Sequence, residues 1–226
     1  MLQKLHRNPL SPGPPMPDII SQTIRLSGQR PLAEGKESIV YQHPEFLNVL
    51  LKVPRQQSRH FRAFAKPGLK RYAVWRYRGL INWYREYEEY LAAVARSGDL
   101  PGFLPRLFGF SRTDLGPAFA VERISGPDGE PAPTLIELAR AGRIDDHILR
   151  LVDELFDQIA ESGLVTQDLH AGNIVWSGDP DRLVLIEGLG DRVLIRVRVF
   201  SKRARLRTLA RDKQALLAKL RELSPE

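Results

Sequence analysis

The chain has 226 residues and a formal net charge of +7 at pH 7, enough for one domain or two small lobes that share a cleft. It contains no cysteine, which excludes disulfides, thiolate metal sites and cysteine nucleophiles and fits a reducing compartment. No apolar run reaches membrane-spanning length and the N-terminal stretch lacks a signal-peptide core, so a cytoplasmic protein is expected, while the surplus of Lys and Arg leans toward anionic partners.

Residues 1–22 carry repeated prolines and read as a flexible tail. From Thr23 to Val53 short apolar stretches alternate with turn residues, which predicts three strands. Residues 54–80 are rich in Arg and Lys without periodicity and read as a basic insertion. Residues 81–96 place Trp83, Tyr87, Tyr90, Leu91 and Val94 at helical spacing. Two short strands follow, in "LPRLFGFSRTDLG" and "PAFAVERISG".

Beyond Gly126 the pattern turns helical. Thr134 with Glu137 three residues later has the signature of a capping box. Ile148, Val152, Leu155 and Ile159 form one stripe that ends at Gly163, an expected C-cap. "NIVWSGDPDRLVLIEG" reads as a hairpin turning at "GDPD". After it, Arg192, Arg196 and Arg198 alternate with Val193, Ile195 and Val197 as in a half-buried strand. A basic amphipathic helix closes the chain, with Leu206, Leu209, Leu216, Leu220 and Leu223 on its apolar side. Strands plus one helix, then helices plus a hairpin, give an α+β order.

The stretch "VTQDLHAGNIVW" carries the chemistry. In an antiparallel hairpin the start of the first strand lies beside the end of the second, so Asn173 and Glu187 meet at one end, next to Asp168. Two carboxylates and an amide oxygen are hard donors that suit Mg²⁺, with the remaining ligands coming from water and phosphate. Taken alone, each residue has a plainer reading. Asp168 and Asn173 are ordinary turn formers, Lys52 an exposed strand lysine, Glu86 a solvated helix residue and His170 a structural brace. Agreement among them outweighs those readings.

The arrangement resembles the protein-kinase-like fold, in two lobes of which the second is short. The resemblance implies that Asp168 is the catalytic base, that Asn173 and Glu187 hold Mg²⁺, and that Glu187-Gly188-Leu189-Gly190 stands in the Asp-Phe-Gly position. "DLHAGN" is similar to the catalytic loop of aminoglycoside- and choline-type small-molecule kinases. "LAEGKESIVY", with Gly35 its only glycine, would cover the phosphates and is similar to the corresponding loop of RIO-type kinases. Lys52 would grip the α/β-phosphates and pair with Glu86 (Glu89 being the second choice), and the backbone at Glu122 and Ile124 would meet adenine. From Ile24 to Leu220 the chain also resembles bacterial PhoP-regulatory-network proteins of the YrbL type, most specifically in "YQHPE" and "TDLG".

These readings imply an N-terminal lobe of residues 23–124 and a C-terminal lobe of 125–226, with ATP and Mg²⁺ between them. The expected function is phosphoryl transfer to a small or anionic hydroxyl. The alternatives are a catalytically weak nucleotide-binding pseudokinase acting as a regulatory module and, more remotely, a nucleic-acid-binding protein, for which no motif is present. Glu187 departs from the usual aspartate by one methylene, and Gln167 stands where many protein kinases carry arginine. The basic segments 55–85 and 192–213 would draw in an anionic acceptor such as a phosphorylated sugar, an acidic lipid or RNA.

Overall fold

The computed structural model describes residues 23–35, 38–55, 80–190 and 201–224. The expected tail of residues 1–22, nearly all of the basic insertion and the arginine strand after Gly190 lie outside the described residues.

Five strands, β1 (Ala33–Glu34), β2 (Ser38–Gln42), β3 (Val49–Pro54), β4 (Leu107–Thr113) and β5 (Gly116–Glu122), form one sheet in the order β1-β2-β3-β5-β4. Every pairing in it is antiparallel. The period-2 rule divides β3 between two faces. Leu51 and Val53 join Leu26, Tyr41, Ala118 and Ala120 on one side. Leu50 packs with Phe119, Val121 and Trp83 on the other, the side to which Lys52 also belongs by alternation. Trp83 stacks on Phe119 with ring centroids 5.4 Å apart. Burying one such side chain is worth roughly 1.5–3 kcal/mol, so this contact fixes the helix that carries Trp83 against the sheet.

That helix, α1 (Ile81–Ser97), ends at Gly98, whose φ of 79° only glycine adopts without strain. Its buried positions are Trp83, Glu86, Glu89, Tyr90 and Ala93. This corrects the apolar stripe read from the sequence, because Tyr87, Leu91 and Val94 are exposed at 37, 57 and 45%. The helix is turned so that two carboxylates, not three apolar side chains, face the rest of the molecule. "TIRL" gives no full strand. Ile24 makes an isolated parallel bridge to Thr113, and Leu26 and Ser27 donate their N–H groups to the Asp114 carboxylate.

The second half is built on α2 (Leu135–Arg140), α3 (Asp146–Ser162) and α4 (Lys202–Leu223), with β6 (Ile174–Gly178) and β7 (Asp181–Leu185) as a two-stranded hairpin. The Thr134–Glu137 capping box forms as expected, and α3 buries Ile148, Val152, Leu155 and Ile159 and stops at Gly163. Leu209, Leu216 and Leu220 of α4 are buried, whereas Leu206 is exposed at 37%. These helices share one core with Phe103, Leu104 and the Tyr90 and Ala93 side chains of α1. No helix among the described residues is long and apolar enough to cross a membrane.

Candidate active site

β3 and α1 bring Lys52 and Glu86 together. Lys52 Nζ lies 4.0 Å from Glu86 Oε1, with the two side chains only 12 and 10% exposed. The same ammonium donates to the Ile186 carbonyl at 2.8 Å. Desolvating an ion pair costs about as much as the attraction returns, so a buried pair is weak evidence of a stability role. A lysine held at such a place is better explained by what it can bind.

The loop 165–173 and the turn 186–190 are laced together by backbone. Gln167 N–H donates to the Gly188 carbonyl at 2.9 Å, Gly190 N–H to the Val165 carbonyl at 2.8 Å, and Ile186 N–H to the Asn173 carbonyl at 2.9 Å. The Gln167 side chain donates to the Leu189 carbonyl at 3.1 Å, which gives this residue a bracing role in place of the arginine found in many protein kinases. Gly188 has φ +106°, and a Cβ there would stand 2.7 Å from the Asp168 carbonyl oxygen. The turn can approach the loop this closely only because it has no side chain.

Asn173 is buried at 8% and its Nδ2 donates to the Asp168 carbonyl at 3.0 Å. The amide nitrogen is therefore engaged by the loop, and the oxygen is the group available to an ion. Asp168 keeps its carboxylate in solvent at 48% exposure, with His170 Nε2 3.8 Å away. His170 Nδ1 accepts from Gly172 N–H at 3.0 Å, the bracing role expected of it. Glu187 is exposed, and its carboxylate has no hydrogen bond or ion pair among the described residues. No three His, Asp or Glu side chains among those residues stand close enough to hold a metal by themselves. The Asn173 oxygen and the carboxylates of Asp168 and Glu187 are the hard oxygen donors of this region, the type that Mg²⁺ takes together with phosphate and water.

A cleft of about 280 Å³ opens beside Lys52. Leu32, Ala33 and Val40 line one side, and Val175 and Ile186 from the hairpin another, with the segment Val121–Ile124 also at its wall. Apolar walls with few polar groups are the usual make-up of a small-molecule site. At the hinge, Glu122 N–H already donates to the Arg106 carbonyl and the Ile124 carbonyl accepts from Ala132. An adenine edge would meet the opposite groups, the Glu122 carbonyl and the Ile124 N–H. Gly35 lies in the β1–β2 turn and donates to the Ser38 carbonyl at 2.9 Å; its neighbours 36 and 37 lie outside the described residues.

One contact escaped the sequence reading. Glu89 accepts the buried Val165 N–H at 2.8 Å, tying α1 to the loop of Asp168. Tyr90 is buried beside it, and burial first, then the Glu86 and Glu122 carboxylates, push its phenol well above the ordinary range. The fragments "YQHPE" and "TDLG" prove to be turn devices. His43 Nδ1 accepts from Glu45 N–H at 3.1 Å and Phe46 N–H at 3.2 Å, and Asp114 clamps the N-terminal stretch. Arg59, Arg62, Lys66, Lys70, Arg71, Arg76 and Arg78 of the basic segment lie outside the described residues.

The sheet order, the helix set against it, the Lys–Glu pair and the hairpin behind a DxxxxN loop are together the protein-kinase-like architecture. The family described as PhoP regulatory network protein YrbL matches residues 24–221. The uncharacterized protein YrbL of Escherichia coli is 28% identical over 185 residues, which is 79% of this chain and 79% of that protein. YrbL of Shigella flexneri gives the same figures. Among solved structures, PpkA-294 in its apo form is 16% identical with a TM-score of 0.46, over 83% of this chain and 63% of that one. The PknI kinase domain of Mycobacterium tuberculosis is 18% identical with a TM-score of 0.41, over 70 and 57%. The chain thus spans less than two thirds of either of those structures.

Proposed function

The chain belongs to the PhoP regulatory network protein YrbL family, and on that footing we propose that it is a Mg·ATP-dependent phosphotransferase acting on a small or anionic hydroxyl. The observation that carries this reading is the buried Lys52–Glu86 pair at the mouth of the apolar cleft. In the proposed complex, nucleotide lies between residues 23–124 and 125–226. Lys52, fixed by Glu86, holds the α/β-phosphates, and Gly35 lets the β1–β2 turn come close above them. The Asn173 oxygen and the Glu187 carboxylate would hold Mg²⁺, which supplies charge neutralisation at the transferring phosphoryl group. Asp168, accessible and braced through its own carbonyl by Asn173, orients the acceptor hydroxyl and takes its proton.

A second reading, a nucleotide-binding module without efficient turnover, is favoured by Glu187. Its extra methylene displaces the carboxylate by about an ångström, and a misplacement of that size costs on the order of a hundredfold in rate. Both readings require Mg·ATP binding. At ligand a hundredfold above its dissociation constant, stabilisation should be about 2.7 kcal/mol, measured as a melting shift. Lys52→Met combined with Glu86→Gln, which leaves no lone buried charge, should remove most of that shift. No shift in the parent protein at millimolar nucleotide would sink both readings, and ATP turnover separates them.

A further inference from the structure

A second cavity of about 550 Å³ lies along the flank of α1 that carries Tyr87, Leu91 and Val94. Its apolar wall is made by Tyr87, Leu91 and Val94 of α1 and Phe108 of β4. Sequence periodicity assigned the three from α1 to the core, and the fold leaves all four exposed by 37 to 57%. Large apolar groups gathered around one cavity, not scattered singly, mark a place where something binds.

Four charged residues are also among its lining: Asp99, Arg106, Glu122 and Arg182. Both carboxylates are turned to backbone, Asp99 accepting Leu100 N–H at 2.7 Å and Glu122 accepting Arg106 N–H at 2.9 Å. Neither guanidinium forms an ion pair or a side-chain hydrogen bond among the described residues. Arg182 Nε is buried and has no hydrogen-bond partner. That nitrogen faces away from the cavity, but a guanidinium presents a planar fork of further N–H groups that a carboxylate satisfies with two parallel bonds. The four formal charges cancel, so the cavity has no net field that would hold a polyanion.

We propose that this second cavity binds a small amphipathic monoanion, an aromatic or branched-aliphatic carboxylate. Arg182 and Arg106 take the carboxylate, and the apolar body lies on Tyr87, Leu91, Val94 and Phe108. A polyanion such as a nucleotide fits the first cleft instead, where Lys52 and the metal donors stand.

The test is calorimetric titration of the whole chain with 4-phenylbutyrate, and with its neutral amide as the isosteric control. It is run without nucleotide, so it is decided apart from the reading of the first cleft. Two variants are compared, Arg182→Gln and Leu91→Asp; Leu91 is 57% exposed, so its replacement leaves the core intact, and equal melting temperatures verify this. The acid should bind, its amide at least about tenfold more weakly, and each variant should lose at least about tenfold in affinity for the acid. The proposal is overturned if the parent does not bind the acid at about 10 mM, if acid and amide bind alike, or if the Leu91→Asp variant binds as the parent does.

Discussion

Glu89 and Val165 are joined across 76 residues of chain, the buried carboxylate accepting the backbone N–H at 2.8 Å. Three residues earlier on the same helix face, Glu86 meets Lys52. One helix therefore ties the lysine strand to the loop that presents Asp168. Glu89→Ala strands a buried donor and should cost about 1–3 kcal/mol. Glu89→Gln keeps an acceptor oxygen and should lose less than half as much. Urea unfolding of the two variants measures the difference; equal losses would show that the bond to Val165 does not hold the loop.

Gly188→Ala puts a methyl group 2.7 Å from the Asp168 carbonyl oxygen and forces a side chain onto φ +106°. The backbone strain alone is worth on the order of 1–3 kcal/mol. Gly116→Ala is the control, because Gly116 has φ +113° with nothing within 4 Å of the added atom. The Gly188 variant should be the less stable of the two, and it alone should weaken the magnesium dependence of ATP binding, since Asn173 holds the same carbonyl. Equal destabilisation would mean that the loop yields without cost.

Where the signal was local, the sequence was sufficient. The Thr134–Glu137 capping box lies within one helical turn, the α3 stripe recurs at 3.6-residue spacing, and the hairpin turns on four adjacent residues. The orientation of α1 was not legible. Which face is buried depends on Lys52, 34 positions earlier, and on Val165, 76 positions later, and those polar partners overrode an aromatic and aliphatic spacing that a local reading counts as core. Glu86 does stand beside Lys52, while the stripe read along the helix is split, with Tyr90 buried and Tyr87, Leu91 and Val94 exposed. The places of Lys52, Asp168 and Asn173 in the fold were legible because each stands on or beside a strand or turn that its own neighbours define. The hydrogen bonds of Glu89, His43 and Asp114 left no pattern, since a carboxylate or imidazole that accepts a backbone N–H looks in sequence like any other polar residue.

Asp168→Asn should leave Mg·ATP binding within about twofold and abolish turnover, because a base acts on the acceptor and not on the nucleotide. Asn173→Ala and Glu187→Ala should instead weaken the magnesium dependence of binding. For Asn173→Ala, part of the loss comes through the Asp168 carbonyl it braces. Titration of each variant with ATP at several magnesium concentrations separates the roles, and equal loss of binding in all three would contradict them. Glu187→Asp decides how the departure from aspartate is used. A gain in turnover marks the longer side chain as a handicap; a loss marks a site adapted to it.

His43 makes stability depend on pH in a defined direction. Burial holds its imidazole below the ordinary value of 6.5, with Glu45 acting the other way. In the fold its Nδ1 must stay unprotonated, because it accepts two backbone N–H groups in the β2–β3 turn. As pH falls through about 6.5 the unfolded chain takes up a proton that the folded chain refuses, so this contribution is complete above that pH and is lost below it. The slope from a single such group is at most about 1.4 kcal/mol per pH unit. His43→Asn supplies a carbonyl oxygen as acceptor and does not titrate in this range. Urea unfolding between roughly pH 7.5 and 5.5 should therefore show the parent losing stability faster than the variant, with the two curves parallel above about pH 7. Parallel curves throughout would assign the acid sensitivity to other groups and leave His43 a neutral turn residue at every pH tested.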